Sequence, residues 1–316
     1  MLSTMLDPIV LCFAVGLFAG LLKSDLKLPD QLYETLSIYL LFAIGLKGGV
    51  ELARSNGREI MLPILATIAL GIVIPILAYN ILRRLGRFDR PDAAAIAAHY
   101  GSVSAVTYAV VLSFLNGIGV EFEAFVTVLL VVLEIPAIAV GILIARLRAS
   151  QEEMSWGPLM HEVFLGKSVY LLIGGLVVGY VAGPDRTGAI APLFFAGFKG
   201  ALALFLLEMG VITSRRVADL RKSGAFLVAF GVFMPLISGA LGTVLGVASG
   251  LSLGGTTVLA TLAASASYIA APAAMRIAVP KANPTLYLTA ALGVTFPFNL
   301  IIGIPIYYRM ATVLYE

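Results

Sequence analysis

A chain of 316 residues that are 60% hydrophobic and 12% charged has the composition of a membrane protein, because soluble domains average about 25% charged residues. The formal net charge of +3 is too small to indicate a nucleic-acid partner, and the single cysteine, Cys12, excludes an intramolecular disulfide. No Lys or Arg precedes the first apolar run, so a cleaved secretory signal is not expected.

Apolar runs of bilayer length predict ten membrane helices, so the expected fold class is an all-α polytopic membrane protein. In the first half of the chain the predicted helices are Pro8 to Leu22, Leu32 to Val50, Met61 to Leu82, Ala93 to Leu115 and Ala124 to Ala145. In the second half they are Ser168 to Ala182, Ala191 to Thr213, Gly224 to Ser249, Gly254 to Met275 and Pro284 to Tyr308.

Basic residues are distributed unevenly between the alternate connections of these helices. The connections after the odd-numbered helices contain fifteen Lys and Arg residues, and the opposite side contains four: Arg54, Arg58, Arg186 and Arg309. Since the cytoplasmic side carries the basic excess, both termini are predicted to lie outside the cytoplasm, with the protein in the inner (plasma) membrane. The basic clusters are interpreted as determinants of this orientation, in preference to lipid or partner sites.

Three segments recur in the same order at an offset of roughly 160 residues. GLFAG at Gly16 resembles GLVVG at Gly175, LKGGVELARS at Leu46 resembles LEMGVITSRR at Leu207, and EIPAIAVGI at Glu134 resembles TFPFNLIIG at Thr295. Shared Gly and Pro positions favour a true repeat over similarity of apolar composition. With five helices in each half, the second half enters the membrane inverted. The predicted organisation is a first repeat at 1–147, a cytoplasmic linker at 148–167 and a second repeat at 168–316.

Two predicted helices are interrupted by small, hydroxyl and helix-disrupting residues. Eight of the fifteen residues from Ala260 to Ala274 are Ala, and Ser265, Ser267 and Pro272 lie among them. In the matching stretch, Ala93 to Ala105, nine of thirteen residues are Ala, Gly or Ser. Such segments in corresponding halves of a chain indicate broken helices that line a transporter's binding site.

The interrupted segments predict an anion-binding site near the middle of the membrane. An anion that leaves water needs hydroxyl donors and the backbone N–H groups at the start of a half-helix. Gly101 is expected to relax the backbone, and Ser104 is expected to cap the second half-helix. The alternative is that small and hydroxyl residues only pack helices. The predicted substrate-binding residues are Gly101, Ser102, Ser104, Thr107, Ser265, Ser267 and Tyr268.

Ionisable residues within or near apolar runs need a partner or water. These residues are Lys47, Glu134, Lys199 and Glu208. Glu134 is predicted to line a hydrated cavity or to take part in ion coupling, and the alternative is a structural pairing between helices. Lys47, near a helix end, is also interpreted as extending its ammonium group to the membrane surface.

A proline completes the predicted ion-coupling residues, which are Glu134, Tyr268 and Pro272. Pro272 cannot donate a hydrogen bond to the residue four positions before it, so the carbonyl of Tyr268 is left free to face a cation. His99 is interpreted as a packed side chain in preference to a pH sensor.

No constellation typical of an enzyme or a metal site occurs in the sequence. It has no HExxH motif and no cysteine pair, and GSVSA at Gly101 to Ala105 departs from the GxSxG motif. We therefore expect neither an enzyme nor a resident cofactor.

The chain resembles the SbtA family of sodium-dependent bicarbonate transporters along nearly its whole length. The similarity is closest at Ile44 to Asn56, Gly101 to Leu112, Leu133 to Ile142 and Leu262 to Pro284. The resemblance implies two inverted five-helix repeats, a core part that moves against a scaffold part, homotrimeric assembly, and sodium-coupled uptake of bicarbonate between broken helices. It also implies a PII-like regulatory partner. By position, Gly101, Ser104 and Thr107 match the first polar segment of the family, and Ser265, Ser267 and Pro272 match the second.

Within this resemblance, some residues at the interrupted segments differ from the family pattern. Tyr268 stands where the cyanobacterial members are acidic, and Val106, Ala266 and Ala270 replace small hydroxyl residues, whereas Glu134 preserves a negative charge. The leading hypothesis is a secondary transporter that imports bicarbonate, or a similarly small anion, with sodium by alternating access. The alternatives are a transporter of a small organic carboxylate and a membrane protein that binds an anion without moving it.

Overall fold

The computed structural model describes residues 7–54, 59–146, 161 and 165–316, and every regular element among them is a helix. A short π-helical segment, Pro192–Ala196, precedes the eighth helix. Numbered in chain order, the helices are α1 (Pro8–Leu21), α2 (Asp30–Leu52), α3 (Met61–Arg84), α4 (Arg90–Gly101), α5 (Ala105–Gly117), α6 (Val126–Arg146), α7 (Lys167–Thr187), α8 (Phe198–Ser223), α9 (Ala225–Ala248), α10 (Leu253–Ala264), α11 (Ala270–Ala278) and α12 (Pro284–Tyr315).

In the described part of the chain, seven helices are long and apolar enough to cross a membrane, counting α4 and α5 together. They are α2, α3, α4 with α5, α6, α7, α9 and α12. These helices make the chain a multi-pass membrane protein. Ten spans follow only when α1, α8 and the two-part helix α10 with α11 are counted as well.

Both of the interrupted segments that the sequence identifies are broken helices. The predicted span Ala93 to Leu115 is divided into α4 and α5, and the predicted span Gly254 to Met275 is divided into α10 and α11. The sixth predicted helix, Ser168 to Ala182, stops at a kink: Gly183 is non-helical with a φ of 64°, and a short helical turn follows it to Thr187. The last helix continues beyond Tyr308 to Tyr315.

Four helices, α1, α2, α7 and α8, pack in pairs through glycine and are called here the glycine-packed group. A Cβ atom at Gly16 of α1 would collide with the backbone of Leu207 in α8, and one at Gly179 of α7 would collide with Leu46 in α2. Only glycine permits such a close approach of two helix backbones, as is common in membrane proteins.

The remaining helices, α3 to α6 and α9 to α12, contain both helix breaks and are called the break-bearing group. In its first half α3 packs against α4 and α6, and in its second half α9 packs against α10 and α12. The short helices α4 and α10 are almost completely buried between their neighbours. Side chains at the two breaks are therefore held inside protein and away from lipid.

Helix α12 is not a regular α-helix along its length. Residues Thr289–Thr295 and Asn299–Gly303 form π-helical turns on either side of Pro297. Proline cannot donate to the carbonyl four residues earlier, and wider turns accommodate such an interruption. The irregular part of α12 contacts α8, α9 and α10.

The predicted linker at 148–167 lies outside the described residues except for residue 161 and residues 165–167. Lys167, at its end, begins α7 and forms an ion pair with Glu34 of α2 at 2.9 Å.

Candidate functional site

The first helix break is built from residues that end one helix and begin the next. Ser102 has extended backbone angles after the end of α4, and Ser104 caps the start of α5. The Ser104 hydroxyl accepts hydrogen bonds from the backbone N–H of Thr107 (3.1 Å) and from the Thr107 hydroxyl (2.9 Å). Serine is favoured at this position because its oxygen replaces a missing helix acceptor. The predicted cap at Ser104 is confirmed.

The second break uses the same residue type to end α10 and begin α11. Ser265 is extended, and its hydroxyl donates to the carbonyl of Leu262 in the last turn of α10 (2.8 Å). The Ser267 hydroxyl accepts from the backbone N–H of Ala271 (3.1 Å). Pro272 lies in the first turn of α11, where its missing N–H removes no intrahelical hydrogen bond.

The two breaks contact each other directly, although about 160 residues separate them in the sequence. The backbone N–H of Ser104 donates to the Ser265 hydroxyl (3.0 Å), and the backbone N–H of Ser267 donates to the carbonyl of His99 (2.9 Å). The Ser104 hydroxyl also donates to the Tyr268 hydroxyl (3.1 Å). These three hydrogen bonds join the broken helices at one crossing point.

Two helices begin and two helices end at this crossing point. Both α5 and α11 begin there, so the positive ends of two helix dipoles meet in a buried region. The N–H groups of Ala105 and Val106, in the first turn of α5, have no acceptor within the helix. The helix N-termini favour an anion, and the C-termini of α4 and α10 beside them favour a cation.

A buried carboxylate lies beside the crossing. Glu134 of α6 is 3% exposed and borders a cavity of about 10 Å³ that is also lined by Ser104, Ser267, Tyr268 and Ser168. Among the described residues, no group forms a hydrogen bond or ion pair with Glu134. The sequence predicts either a cavity around Glu134 or a structural pairing between helices. In the structure Glu134 lies at a polar cavity and pairs with none of the described residues.

Other predicted substrate residues differ in how they are held. A Cβ atom at Gly101 would lie 2.8 Å from the Cδ of Pro75 and 3.0 Å from the Cβ of Ala137, so this glycine allows close packing at the end of α4. The Ser102 hydroxyl is buried and has no hydrogen-bond partner among the described residues. Its free hydroxyl makes Ser102 a further candidate for contact with a ligand.

His99 is packed, as the sequence interpretation favours. Its ring is fully buried, stacks on Tyr287 at a centroid distance of 4.4 Å, and places Nδ1 2.6 Å from the carbonyl of Ala95. The Nε2 atom has no partner among the described residues.

Asn299 is a residue of this site that the sequence reasoning missed. Its side-chain amide donates to the carbonyl of Ala264 at the end of α10 (2.9 Å) and accepts from the Tyr307 hydroxyl (2.7 Å). A polar amide within the apolar run TFPFNLIIG, beside Pro297, is the signal that could have identified it.

The remaining ionisable residues lie away from the crossing. Glu208 is buried, and its carboxylate accepts from the backbone N–H of Leu28 (2.9 Å), so it has a structural partner. Lys47 and Lys199 line a separate cavity. No group of three or more His, Cys, Asp or Glu residues in the described ranges is arranged to hold a metal ion.

Comparison with known protein families is consistent with this architecture. Residues 8–312 match the model of the Na+-dependent bicarbonate transporter superfamily, which covers nearly the whole chain. No curated protein matches the chain in sequence. The family match extends across both broken helices and every helix that packs on them. The chain therefore belongs to the Na+-dependent bicarbonate transporter superfamily.

Proposed function

We propose that this protein is a secondary active transporter that imports bicarbonate together with sodium by alternating access. The observation that carries this proposal is the crossing of two broken helices, where two helix N-termini and the hydroxyls of Ser104 and Ser265 meet inside the protein. Membership of the family supports the same substrate and coupling ion.

Bicarbonate fits the chemistry of the crossing. A small oxyanion accepts several hydrogen bonds at once, and the first-turn N–H groups of α5 and the hydroxyls of Ser102 and Ser267 are donors of that kind. The hydroxyls of Ser104 and Ser265 become donors to the anion when they release Tyr268 and the carbonyl of Leu262. Leaving water costs an anion several kcal/mol, and hydrogen-bond donors held near one another by the fold offset part of that cost.

Sodium is assigned to the neighbouring polar cavity. Glu134 supplies a carboxylate there, and Ser267 supplies a neutral oxygen to the same cavity. The carbonyl of Tyr268, to which Pro272 cannot donate, is a further oxygen ligand for a cation. A cation beside Glu134 would neutralise a buried charge and attract the anion to the adjoining helix N-termini. We propose that the two ions are coupled through this mutual electrostatic stabilisation.

Helix packing supports the inverted repeat. Gly16 and Gly20 of α1 face Leu207 and Ser214 of α8, so these helices run parallel, and α2 runs parallel to α7 by the same criterion. In the ten-span numbering, α1 and α8 are the first and seventh spans and α2 and α7 are the second and sixth. In each parallel pair, the two spans are therefore both odd-numbered or both even-numbered. This is required if ten successive spans alternate in their direction across the membrane.

Contacts between connections agree with the same topology. Glu123, after the fourth span, accepts hydrogen bonds from the backbone N–H and the hydroxyl of Ser252, after the eighth. Asp92, in the first turn of the fourth span and next to the connection after the third, accepts from the backbone N–H of Asn283, after the ninth (2.6 Å). Each contact joins two even-numbered or two odd-numbered connections, which lie on one side of the membrane when ten spans alternate.

The two helix groups provide the parts for an elevator-like movement. The break-bearing group contains the whole crossing, and the glycine-packed group forms a separate set of tightly paired helices. We propose that the first moves against the second within a homotrimer in the plasma membrane, with both termini outside the cytoplasm. A PII-like regulatory protein completes the proposal as a partner on the cytoplasmic side.

A small organic carboxylate is the second candidate substrate. Val106 borders a cavity of about 10 Å³ whose other lining residues are mostly apolar, among them Ile44, Leu202 and Ile269. An apolar surface beside the helix N-terminus favours a carboxylate that carries a hydrocarbon group. Comparing uptake of formate, acetate and bicarbonate by wild type and Tyr268→Asp separates the two candidates, because the added carboxylate is expected to strengthen the sodium-dependent uptake of bicarbonate.

Uptake of labelled bicarbonate into proteoliposomes tests the main proposal. We expect accumulation that requires an inward sodium gradient and falls by at least about tenfold in Ser104→Ala and Ser265→Ala, since each loses a donor in the site. Ser249→Ala, at the end of α9, is the matched control and should keep wild-type uptake. Accumulation that is indifferent to sodium would refute coupling, and an anion that binds without current or uptake would refute transport.

A further inference from the structure

A third cavity, much larger than the two of about 10 Å³, lies between the glycine-packed and break-bearing groups. It has a volume of about 330 Å³ and is lined by α2, α5, the segment before α8 and the first turns of α8. Four of its lining residues are phenylalanines: Phe122, Phe194, Phe195 and Phe198. This volume is at the lower end of the range typical of sites for organic ligands, roughly 300 to 1,000 Å³, and it greatly exceeds the size of bicarbonate.

The charged residues of this cavity are predominantly basic. Lys47 of α2 and Lys199 of α8 both line it, and neither forms an ion pair with any described residue. Glu51 is the only carboxylate among the lining residues that the structure describes, and it is paired with Arg54 at 3.6 Å. Two ammonium groups that form no ion pair within the described part of the chain, beside aromatic walls, favour an anion that also has an apolar part.

The large cavity is adjacent to the crossing of the broken helices. It shares Ile44, Ala109 and Leu202 with the small apolar cavity that borders Ala105 and Val106 at the start of α5. A molecule held in the large cavity therefore lies between the protein surface and the helix N-terminus that faces the proposed substrate.

We propose that the large cavity is a binding site for an aromatic monocarboxylate, distinct from the crossing of the broken helices. The carboxylate lies between the ammonium groups of Lys47 and Lys199, and the ring packs against the phenylalanines. Occupation of this site closes the route to Ala105 and inhibits uptake. The inhibition rests on the proposed transport function, whereas the binding does not.

Calorimetric titration of 2-naphthoate into the purified protein in detergent tests the binding. We expect the double variant Lys47→Gln with Lys199→Gln to bind about tenfold more weakly or worse, because both charge-assisted contacts are lost. Lys23→Gln, in the connection after α1, is the control and should bind like wild type. The neutral 2-naphthamide and the ring-free acetate should each bind wild type at least about tenfold more weakly than 2-naphthoate. 2-Naphthamide lacks the carboxylate that contacts the lysines, and acetate lacks the ring that packs on the phenylalanines.

Three results would overturn the site: no binding by wild type, equal binding by the double lysine variant, or equal binding of 2-naphthamide. Equal binding by the variant would indicate simple partition into detergent. Phe198→Ala and Phe122→Ala test the aromatic wall separately, with thermal unfolding as the check on folding, and binding unchanged in both would also contradict it.

Uptake measured on the same preparations separates this proposal from the transport proposal. Lysine-dependent binding of 2-naphthoate to a protein that moves no bicarbonate would retain the site and reject the transport function. Bicarbonate uptake that 2-naphthoate leaves unchanged at saturating concentration would reject the inhibitory role of the site.

Discussion

Tyr268 and Ser104 illustrate at the scale of single residues how the crossing is closed in this structure. The Tyr268 hydroxyl lies 3.1 Å from the Ser104 hydroxyl, and its ring packs edge-on against Phe296 at a centroid distance of 5.3 Å. The Ser104 hydroxyl is thus engaged by Tyr268 and by Thr107 at the same time. An anion that binds Ser104 must compete with the tyrosine.

Tyr268→Phe removes this competition while keeping the aromatic ring. Loss of one buried hydrogen bond of ~1 kcal/mol corresponds to about a fivefold change in an equilibrium. We therefore expect the KM for bicarbonate to fall by about fivefold. Initial rates of uptake across a range of bicarbonate concentrations measure this change. An unchanged KM would mean that Tyr268 does not compete with the substrate, and a loss of uptake at all concentrations would mean that its hydroxyl binds the substrate or the ion.

Glu134→Gln tests the role of the buried carboxylate. The amide keeps the size of the side chain but cannot balance the charge of a cation, so the sodium dependence of uptake should be lost or its half-saturating concentration raised by at least about tenfold. Uptake at varied sodium and fixed bicarbonate measures this effect. Glu208→Gln is the matched control, because its carboxylate caps the N–H of Leu28 and lies outside the cavity. A normal sodium response in Glu134→Gln would remove Glu134 from the coupling mechanism.

The helix breaks are the elements that the sequence predicts best. Ala-rich segments with Ser and Pro residues do not sustain a uniform membrane helix unless neighbouring helices satisfy the freed backbone groups, and both breaks occur where such residues cluster. The cap at Ser104 follows from local chemistry. The family resemblance on the same residues is confirmed by the match over 8–312.

Features that depend on contacts between residues far apart in the chain could not be predicted from the sequence. The packing role of Gly101 requires Pro75 and Ala137, and the position of Asn299 under the end of α10 requires the π-helical turns of α12. Each depends on how several helices are placed together, which periodicity and composition do not encode. The hydrogen bond between the hydroxyls of Ser104 and Tyr268 could likewise not be predicted, because the two residues are far apart in the chain.

Asn299→Leu tests whether α12 supports the second break. The substitution leaves the carbonyl of Ala264 and the hydroxyl of Tyr307 buried without their present partner, which typically costs ~1–3 kcal/mol for each unsatisfied group. We expect a lower thermal unfolding midpoint in detergent together with reduced uptake. Tyr307→Phe should have a smaller effect because the amide keeps its bond to Ala264. Equal stability of Asn299→Leu and wild type would show that the amide contributes nothing to the break.

At the scale of the whole molecule, the orientation in the membrane decides which side the large cavity faces. The distribution of Lys and Arg predicts that the connection after α5 lies outside the cytoplasm and the connection after α3 inside it. Asn116 lies at the end of α5 and lines the large cavity, and Arg84 lies at the end of α3. The cavity therefore opens to the outside in the proposed topology.

Cysteine labelling in whole cells checks this orientation. Cys12 is the only cysteine, so Cys12→Ser provides a background without thiols. In that background Asn116→Cys should react with an impermeant thiol reagent in intact cells, whereas Arg84→Cys should react only after permeabilisation. Both substituted residues are exposed in the structure, so a difference reports sidedness. The reverse pattern would invert the topology.

The hydrogen bonds between the breaks also have a mechanical consequence. The backbone N–H of Ser104 donates to Ser265 in the second break, and the backbone N–H of Ser267 donates to His99 in the first broken helix. Each broken helix therefore donates one hydrogen bond to the other. Separating the two broken helices would break both hydrogen bonds. In the proposed transport mechanism, we therefore expect the two broken helices to move together as one unit.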